Sequence, residues 1–127
     1  MNIQKQMTEL FGNSCYAYCI AYMQCKSSDI KDLTKAVLEG WYKGYISDDG
    51  YVSKPHLFAN MCMGKENFYS DVRKPDYKPE PFDQIVCFEN GKNTHFCIMR
   101  NDKIVWDPWP DSNTVKNGKP VSVREFI

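Results

Sequence analysis

The sequence lacks both an excess of charge and a long apolar run. Sixteen lysines and arginines balance sixteen aspartates and glutamates, so neither the basic field of a nucleic-acid-binding protein nor the acidic excess of a disordered chain is present. No apolar run approaches the ~18 residues that a membrane span requires, and the opening MNIQKQMTELFGNSC has no apolar segment behind a basic start. We therefore expect a soluble, cytoplasmic protein with no nucleic-acid and no membrane partner.

Histidine is scarce as well, and the cysteines do not have the spacing of a metal site. There are two histidines and six cysteines, of which Cys15, Cys19 and Cys25 lie close together and the others are scattered. A structural zinc site needs close ligand pairs such as C-x2-C, and a chain without an export segment favours reduced thiols over a disulfide framework. The stretch GKNTH lacks the spacing of a phosphate-binding loop. We predict no metal and no cofactor.

The first half of the chain has the pattern of helices. A length of 127 residues suffices for one core, so a single domain over residues 1–127 is expected. The segment from Cys15 to Cys25 contains no Gly, Pro or charge and follows Asn13 or Ser14 as an N-cap, which predicts a helix buried on every face.

Two further helices are predicted before the middle of the chain. The second, in SSDIKDLTKAVLEGWYKG, has Ser28 or Asp29 as its cap and Gly44 as its stop. Its apolar stripe consists of Ile30, Leu33, Val37, Leu38 and Trp41. The third, in SKPHLFANMCMG, has Ser53 as its N-cap and Gly64 as its C-cap.

The second half has the pattern of strands. VRKPDYKPEPFD carries three prolines and reads as an extended connector. QIVCFE, THFCIMR and KIVWD are rich in β-branched and aromatic residues and are separated by the turn signals NGKN and ND, and a short strand is possible over residues 121–124. Helices first and antiparallel strands afterwards predict an α+β fold.

Cys15 is the cysteine best placed to act as a nucleophile. A thiol becomes a useful nucleophile when its pKa falls below about 8.5, and a helix N-terminus and an adjacent imidazole are two common causes. Cys15 would lie in the first helical turn, where unpaired N–H groups favour a thiolate and can also donate to an oxyanion. Cys19 and Cys25 lie further along the helix, so we interpret them as small core residues.

His95 opens one predicted strand and Asp107 closes the next. If the loop between the strands is Asn101–Lys103, Arg100 pairs with Ile104, and His95 and Asp107 become diagonal neighbours on one face of the sheet. The same face would carry Cys97, Met99 and Val105. A two-residue loop without a bulge would instead turn Asp107 to the opposite face.

Each of these three residues also has a purely structural interpretation. Cys15 could be a buried thiol, His95 a strand histidine bonded to backbone, and Asp107 the start of an Asp-Pro turn. Their combination favours chemistry. We interpret His56 as a surface residue in the first turn of the third helix and Trp106 as a packing residue. The candidates to line a cleft are Ser14, Tyr16 and Trp109.

The segments NSCYAYCIAY, THFCIM and VWDPWPDSNTVKNGKPVS together resemble small, often phage-encoded cysteine peptidases of unknown substrate. That group is related to the bacteriocin-processing (double-glycine) peptidases of the papain-like superfamily, and the resemblance extends over most of the chain. It implies a papain-like fold in which a buried central helix among N-terminal helices packs on a C-terminal antiparallel sheet. It also implies Cys15 as nucleophile, His95 as general base and Asp107 as the residue that orients the imidazole.

The position of the oxyanion donor departs from this pattern. Papain-like enzymes usually place a Gln about six residues before the Cys as an oxyanion donor, and this chain has Glu9 there. Gln6 and Asn13 are the side-chain candidates for that role, and the backbone N–H of Cys15 is a third.

The residues and the resemblance predict a cysteine hydrolase that cleaves a peptide, isopeptide or other amide bond of a peptide or protein substrate through a thioester. Deamidation and acyl transfer use the same apparatus and stay open. Two other readings also stay open. One is a catalytically inactive papain-like binding protein, for example a phage factor that engages a host protein in the host cytoplasm, and the other is a peptidoglycan hydrolase.

Overall fold

The computed structural model describes Met7, residues 12–110 and residues 112–127. In chain order these residues form α1 (Cys15–Cys25), α2 (Ile30–Tyr42), α3 (Pro55–Met63), β1 (Val72–Arg73), β2 (Gln84–Asn90), β3 (Asn93–Arg100), β4 (Lys103–Trp106), α4 (Asn113–Asn117) and β5 (Lys119–Phe126). Within the described residues, three of these helices precede an antiparallel sheet of five strands, so the predicted α+β class is confirmed.

The central helix is α1, and it is buried as its composition predicts. Cys15 and residues 17–21 are buried, while Tyr16 and the last turn are half-buried. Ser14 occupies the N-cap position, as predicted, although its side chain makes no capping hydrogen bond. A helix without a polar face can lie only where other elements cover it, and α2, α3 and β3 all contact α1.

The second helix, α2, is capped as predicted but turns a slightly different face inward. The side chain of Asp29 accepts a hydrogen bond from the N–H of Lys31. Leu38 and Trp41, expected in the buried stripe, are both 42% exposed. The inward face instead includes Gly40, where a Cβ would lie 2.6 Å from the ring of Phe58 in α3. Close approach of α3 to the backbone of α2 therefore sets the rotation of this helix.

The N-cap of the third helix, α3, lies one residue later than predicted. Its N-cap is Lys54, so the prediction of Ser53 as the cap is wrong. The hydroxyl of Ser53 donates to the carbonyl of Gly44 at 3.2 Å and thereby ties the loop before α3 to the end of α2. Gly64 ends the helix in the left-handed conformation, as predicted.

The sheet has the strand order β1-β5-β2-β3-β4. β5 covers residues 119–126, twice the length expected from the sequence, and it lies between β1 and β2. Within the connector predicted to be extended, Val72 and Arg73 form β1 and pair with Phe126 and Glu125. Helix α4 was not predicted; Ser112 caps it by accepting from the N–H of Thr114.

The hairpin of β3 and β4 has a two-residue loop and a bulge. Arg100 pairs with Lys103, and the loop residues Asn101 and Asp102 both have positive φ, as a tight hairpin turn requires. The predicted three-residue loop, with Arg100 opposite Ile104, is therefore wrong.

A bulge in β4 cancels the change of face that the two-residue loop alone would cause for Asp107. Met99 pairs with Ile104, but Ile98 pairs with Trp106, so Val105 is an extra residue in β4. Because a one-residue offset exchanges the two faces of a strand, this bulge returns Asp107 to the His95 side of the sheet.

The two faces of the sheet pack against different partners. Ile85, Phe96 and Ile98 contact the core that α1, α2 and α3 form, while Cys97 and Met99 belong to a second cluster on the other face. Trp106 stacks on Tyr22 of α1 with ring centroids 4.6 Å apart, which agrees with the packing role expected for it. Within the described ranges, no helix combines the length and the apolar character that crossing a membrane demands.

Candidate active site

Cys15 is the first residue of α1 and is 8% exposed. The first N–H groups of a helix have no intrahelical acceptor, and the dipole of the helix is positive at this end. The side chain of Cys15 therefore lies where a negative charge on sulfur, or on an oxygen bonded next to it, is stabilised.

His95 and Asp107 lie in direct contact. Nε2 of His95 is 2.6 Å from Oδ1 of Asp107, and His95 is 4% exposed. The same Oδ1 accepts from the backbone N–H of Trp109 at 2.9 Å. Asp107 thus starts the turn that an Asp-Pro sequence favours and also binds the imidazole of His95. The structural and the functional interpretation of Asp107 are therefore compatible.

The side chain of His95 also lies close enough to that of Cys15 to interact with it. Because Nε2 is engaged by Asp107, Nδ1 is the ring nitrogen available to the sulfur. β4 pairs with β3 only over residues 98–100, so the start of α1 can approach β3 beside His95. Tyr16 stacks on Phe96 with ring centroids 4.6 Å apart, which fixes α1 against this part of β3.

The pKa of His95 is raised to about 9 by these contacts. Burial alone lowers this pKa, but the hydrogen bonds with Asp107 and with Cys15 outweigh it. The imidazole therefore carries a proton at neutral pH and can donate it.

The other two cysteines of α1 differ from each other. Cys19 is completely buried, and burial raises the pKa of its thiol, which agrees with the expected packing role. Cys25 is only half-buried at the margin of the core, and a hydrogen bond with the thiol of Cys62 lowers its pKa. Cys25 still packs against the core, as its position in the helix suggested.

A cavity of about 310 Å³ opens beside Cys15. Its walls come from the start of α1, the segment before α3, the residue after β1, and strands β2, β3 and β5. The lining residues are Asn13, Cys15, Tyr16, Tyr51, Val52, Pro55, Lys74, Cys87, Glu89, Thr94, Phe96 and Arg124. The cavity combines an aromatic and aliphatic wall with charged groups, which is the usual composition of a binding site for a small group.

The remaining sequence-predicted residues have different positions. Asn13 is exposed and lines the cavity, so it lies where an oxyanion donor could act, whereas Gln6 is outside the described residues. Tyr16 lines the cavity, as expected of a cleft residue. Ser14 is fully buried in the interior instead. Trp109 is half-buried and approaches the site through its backbone N–H to Asp107.

Several cavity residues could not be identified from the sequence. Lys74, Cys87 and Arg124 lie on three segments that only the sheet topology brings together. Because Val123 alternates with polar neighbours, the sequence predicts that Arg124 and Val123 lie on opposite faces of their strand. No local pattern, however, indicates that β5 lies near Cys15. His56 lies in the first turn of α3, as predicted, and is half-buried.

Comparisons with known proteins give a family but no activity. Among the residues that the structure describes, no three His, Cys, Asp or Glu side chains are grouped so as to hold a metal ion. No curated protein and no solved structure matches the chain. Over residues 1–127 the chain matches the model of the family described as "Protein of unknown function, DUF261", and it belongs to that family.

Proposed function

We propose that the protein is a cysteine hydrolase that cleaves an amide bond in a peptide or protein through a thioester at Cys15. The observation that carries this proposal is the position of His95, which is hydrogen-bonded to Asp107 and also interacts with Cys15. A nucleophile, a base and a group that orients the base are the elements of acyl transfer by a triad.

In the first step, the sulfur of Cys15 attacks the carbonyl carbon of the substrate. A C–S bond forms, and the electrons of the C=O bond move to the oxygen, whose charge is stabilised by N–H donors at the start of α1. The tetrahedral species then expels the amine, and the protonated ring of His95 supplies the proton that this leaving group needs. The pKa of His95, about 9, keeps that proton in place at neutral pH.

In the second step, water replaces the amine. The ring of His95, neutral after the first step, takes a proton from the water as its oxygen attacks the thioester. The C–S bond breaks, the carboxylic acid leaves, and the proton returns to the pair formed by Cys15 and His95. Asp107 holds the ring by Nε2 throughout, so that Nδ1 stays directed at the sulfur.

A papain-like fold is part of the proposal. Its support is the order of the elements: a cysteine at the start of a buried helix, a histidine on a later strand, and an acid directly after the next strand. Engagement of the acid by Nε2, with Nδ1 left for sulfur, fits the same arrangement. Asn13 is the described side chain that lines the cavity next to Cys15 and could donate to the oxyanion.

Alkylation by iodoacetamide tests the proposal without a known substrate. The reagent is applied near pH 6, where an ordinary thiol of pKa about 8.5 contains well under one percent thiolate. We expect Cys15 to react faster than glutathione under the same conditions, with each site quantified by peptide mass spectrometry. Cys19 is the internal control, because it lies in the same helix and is completely buried.

Two variants identify the cause of the reactivity. His95→Gln removes the imidazole that stabilises the thiolate and should slow the alkylation of Cys15 at pH 6 at least tenfold. His56→Gln is the matched control and should leave the rate unchanged. Reaction of Cys15 only above pH 8 would contradict a hydrolase and favour a protein that binds through the cavity without turnover.

A further inference from the structure

The cavity beside Cys15 contains an arginine that has no acidic partner among the described residues. The chain has three arginines. Nε of Arg73 lies 2.9 Å from Glu125, and Nη1 of Arg100 lies 3.4 Å from Asp83. For Arg124, no described carboxylate lies within 4 Å. It is therefore the arginine whose charge is left available.

The guanidinium of Arg124 is held in place by neutral contacts. Its Nη1 donates to the hydroxyl of Ser122 at 2.7 Å, and its central carbon lies 5.0 Å from the ring centre of Phe96. Ser122 is its one hydrogen-bond acceptor among the described residues, although a guanidinium has five N–H donors. Stacking on Phe96 thus orients the group and leaves most of its donors unused.

The side chain of Tyr16, which lines the same cavity, has a second unused polar group among the described residues. The hydroxyl of Tyr16 is buried and makes no hydrogen bond with any residue that the structure describes. A buried hydroxyl without a partner destabilises the folded protein, and a bound ligand that accepted its hydrogen bond would remove that cost. Lys74 adds a second positive charge to the walls and Glu89 a negative one, so the balance of charge in the cavity is positive.

We propose that this cavity binds a carboxylate of the substrate, with the guanidinium of Arg124 and the hydroxyl of Tyr16 as its donors. This inference rests on the proposed function and specifies its substrate class, which is an acyl group with a carboxylate a few bonds from the scissile carbonyl. A planar guanidinium matches a carboxylate with two parallel hydrogen bonds. Cys15 lines the same cavity of about 310 Å³, so the two ends of such a group fit together.

Iodoacetate and iodoacetamide form a matched pair of probes for this site. In both, the thiolate displaces iodide, so that a C–S bond forms and the C–I bond breaks. Iodoacetate has a carboxylate where iodoacetamide has an amide of the same shape. The measured quantity is the ratio of the two alkylation rates at Cys15, divided by the same ratio for glutathione. Both reagents react with the same thiolate, so the ratio does not depend on how much of it is present.

We expect this normalised ratio to exceed one in the wild-type protein. In Arg124→Gln it should fall about tenfold, the rate equivalent of losing one charge-assisted hydrogen bond. Arg100→Gln is the control, because it makes the same change of charge at a residue that does not line the cavity. Arg124→Lys keeps the charge without the planar fork and should retain part of the preference.

The two proposals fail in distinguishable ways. A normalised ratio at or below one in the wild type, or an unchanged ratio in Arg124→Gln, overturns the carboxylate site even when Cys15 reacts rapidly with iodoacetamide. Slow reaction of Cys15 with both reagents overturns the hydrolase itself. If Arg124→Gln loses its near-ultraviolet circular dichroism, and so its native packing, the test rests on the normalised ratios of the wild type and of Arg124→Lys. A ratio in Arg124→Lys equal to that of the wild type counts against recognition by the planar guanidinium.

Discussion

The ring of His95 and the carboxylate of Asp107 lie 2.6 Å apart, although the paired part of their two strands ends at Ile98 and Trp106. The contact depends on the extra residue Val105, which sets the side of the sheet that Asp107 occupies. With a two-residue turn, this single backbone irregularity therefore determines whether the imidazole has an acidic partner.

Replacement of Asp107 by Asn should lower the pKa of His95. The wild-type value of about 9 lies above the ordinary 6.5 because hydrogen bonds with Asp107 and Cys15 outweigh burial, so the ring stays protonated as the pH rises through neutrality. Asparagine keeps the shape but removes the charge, and the midpoint should move down by about 1–3 pH units. Long-range ¹H–¹⁵N spectra follow the ring directly, and the chain has only one other histidine.

The second histidine makes this titration unambiguous. His56→Gln removes its resonances and assigns the remaining set to His95 without changing the site. A wild-type midpoint near 6.5, or the same midpoint in Asp107→Asn and wild type, would show that the carboxylate does not hold the charge on the ring.

The reactivity of Cys25 should depend on Cys62. The hydrogen bond between the two thiols lowers the pKa of Cys25, so its thiolate is more abundant than that of an isolated cysteine. Cys62→Ala removes the donor and should slow the alkylation of Cys25 by iodoacetamide near pH 7.5, whereas Cys62→Ser keeps a hydroxyl donor and should retain most of the rate. Alkylation of Cys15 is the reference in the same digest, and an equal slowing in both variants would refute the role of the donor.

Replacement of Gly40 by Ala should destabilise the protein. In an exposed helix this change is favourable by about 1 kcal/mol, but here the new Cβ would lie 2.6 Å from the ring of Phe58, which is fully buried. Overpacking of this kind costs about 1–3 kcal/mol of the free energy of unfolding, measured in urea. Adding Phe58→Leu should recover part of the loss if the ring is the obstacle, and an additive effect of the two changes would contradict this explanation.

The buried hydroxyls of Tyr18 and Thr34 should be energetically coupled. They lie 2.9 Å apart, with Tyr18 fully buried. Thr34→Val leaves the phenol without its partner and should lower the free energy of unfolding by about 1–3 kcal/mol. Combining it with Tyr18→Phe removes both polar groups, so the double variant should be more stable than the sum of the single changes predicts. Simple additivity in urea denaturation would argue against the hydrogen bond.

The order of elements was predictable because it depends on local pattern. The continuous apolar run after Ser14 predicted a buried helix, and the β-branched and aromatic runs in the second half predicted the strands that include His95 and lead to Asp107. These signals come from local composition and turn residues, which a sequence displays directly. The adjacency of His95 and Asp107 was also anticipated, although through the wrong loop.

The features that were not predicted depend on contacts between distant segments. The bulge at Val105 has no marker such as glycine, and a loop of two or three residues fits the same sequence. Ser53 has the residue type of a helix cap, yet its hydroxyl bonds instead to Gly44. The length of β5 and the position of Arg124 in the cavity depend on pairing with β1 and β2, which no local pattern specifies.

The position of β5 has a consequence for biosynthesis. Residues 119–126 fill the gap between β1 and β2. Before these residues have left the ribosome, the edges of β1 and β2 that pair with β5 are therefore unpaired, and the cavity wall lacks Arg124. Pairings between such distant residues form late and slowly. A nascent polypeptide therefore carries Cys15 without the guanidinium that we propose selects its substrate until β5 has been synthesised and paired, and selectivity would emerge only at that point.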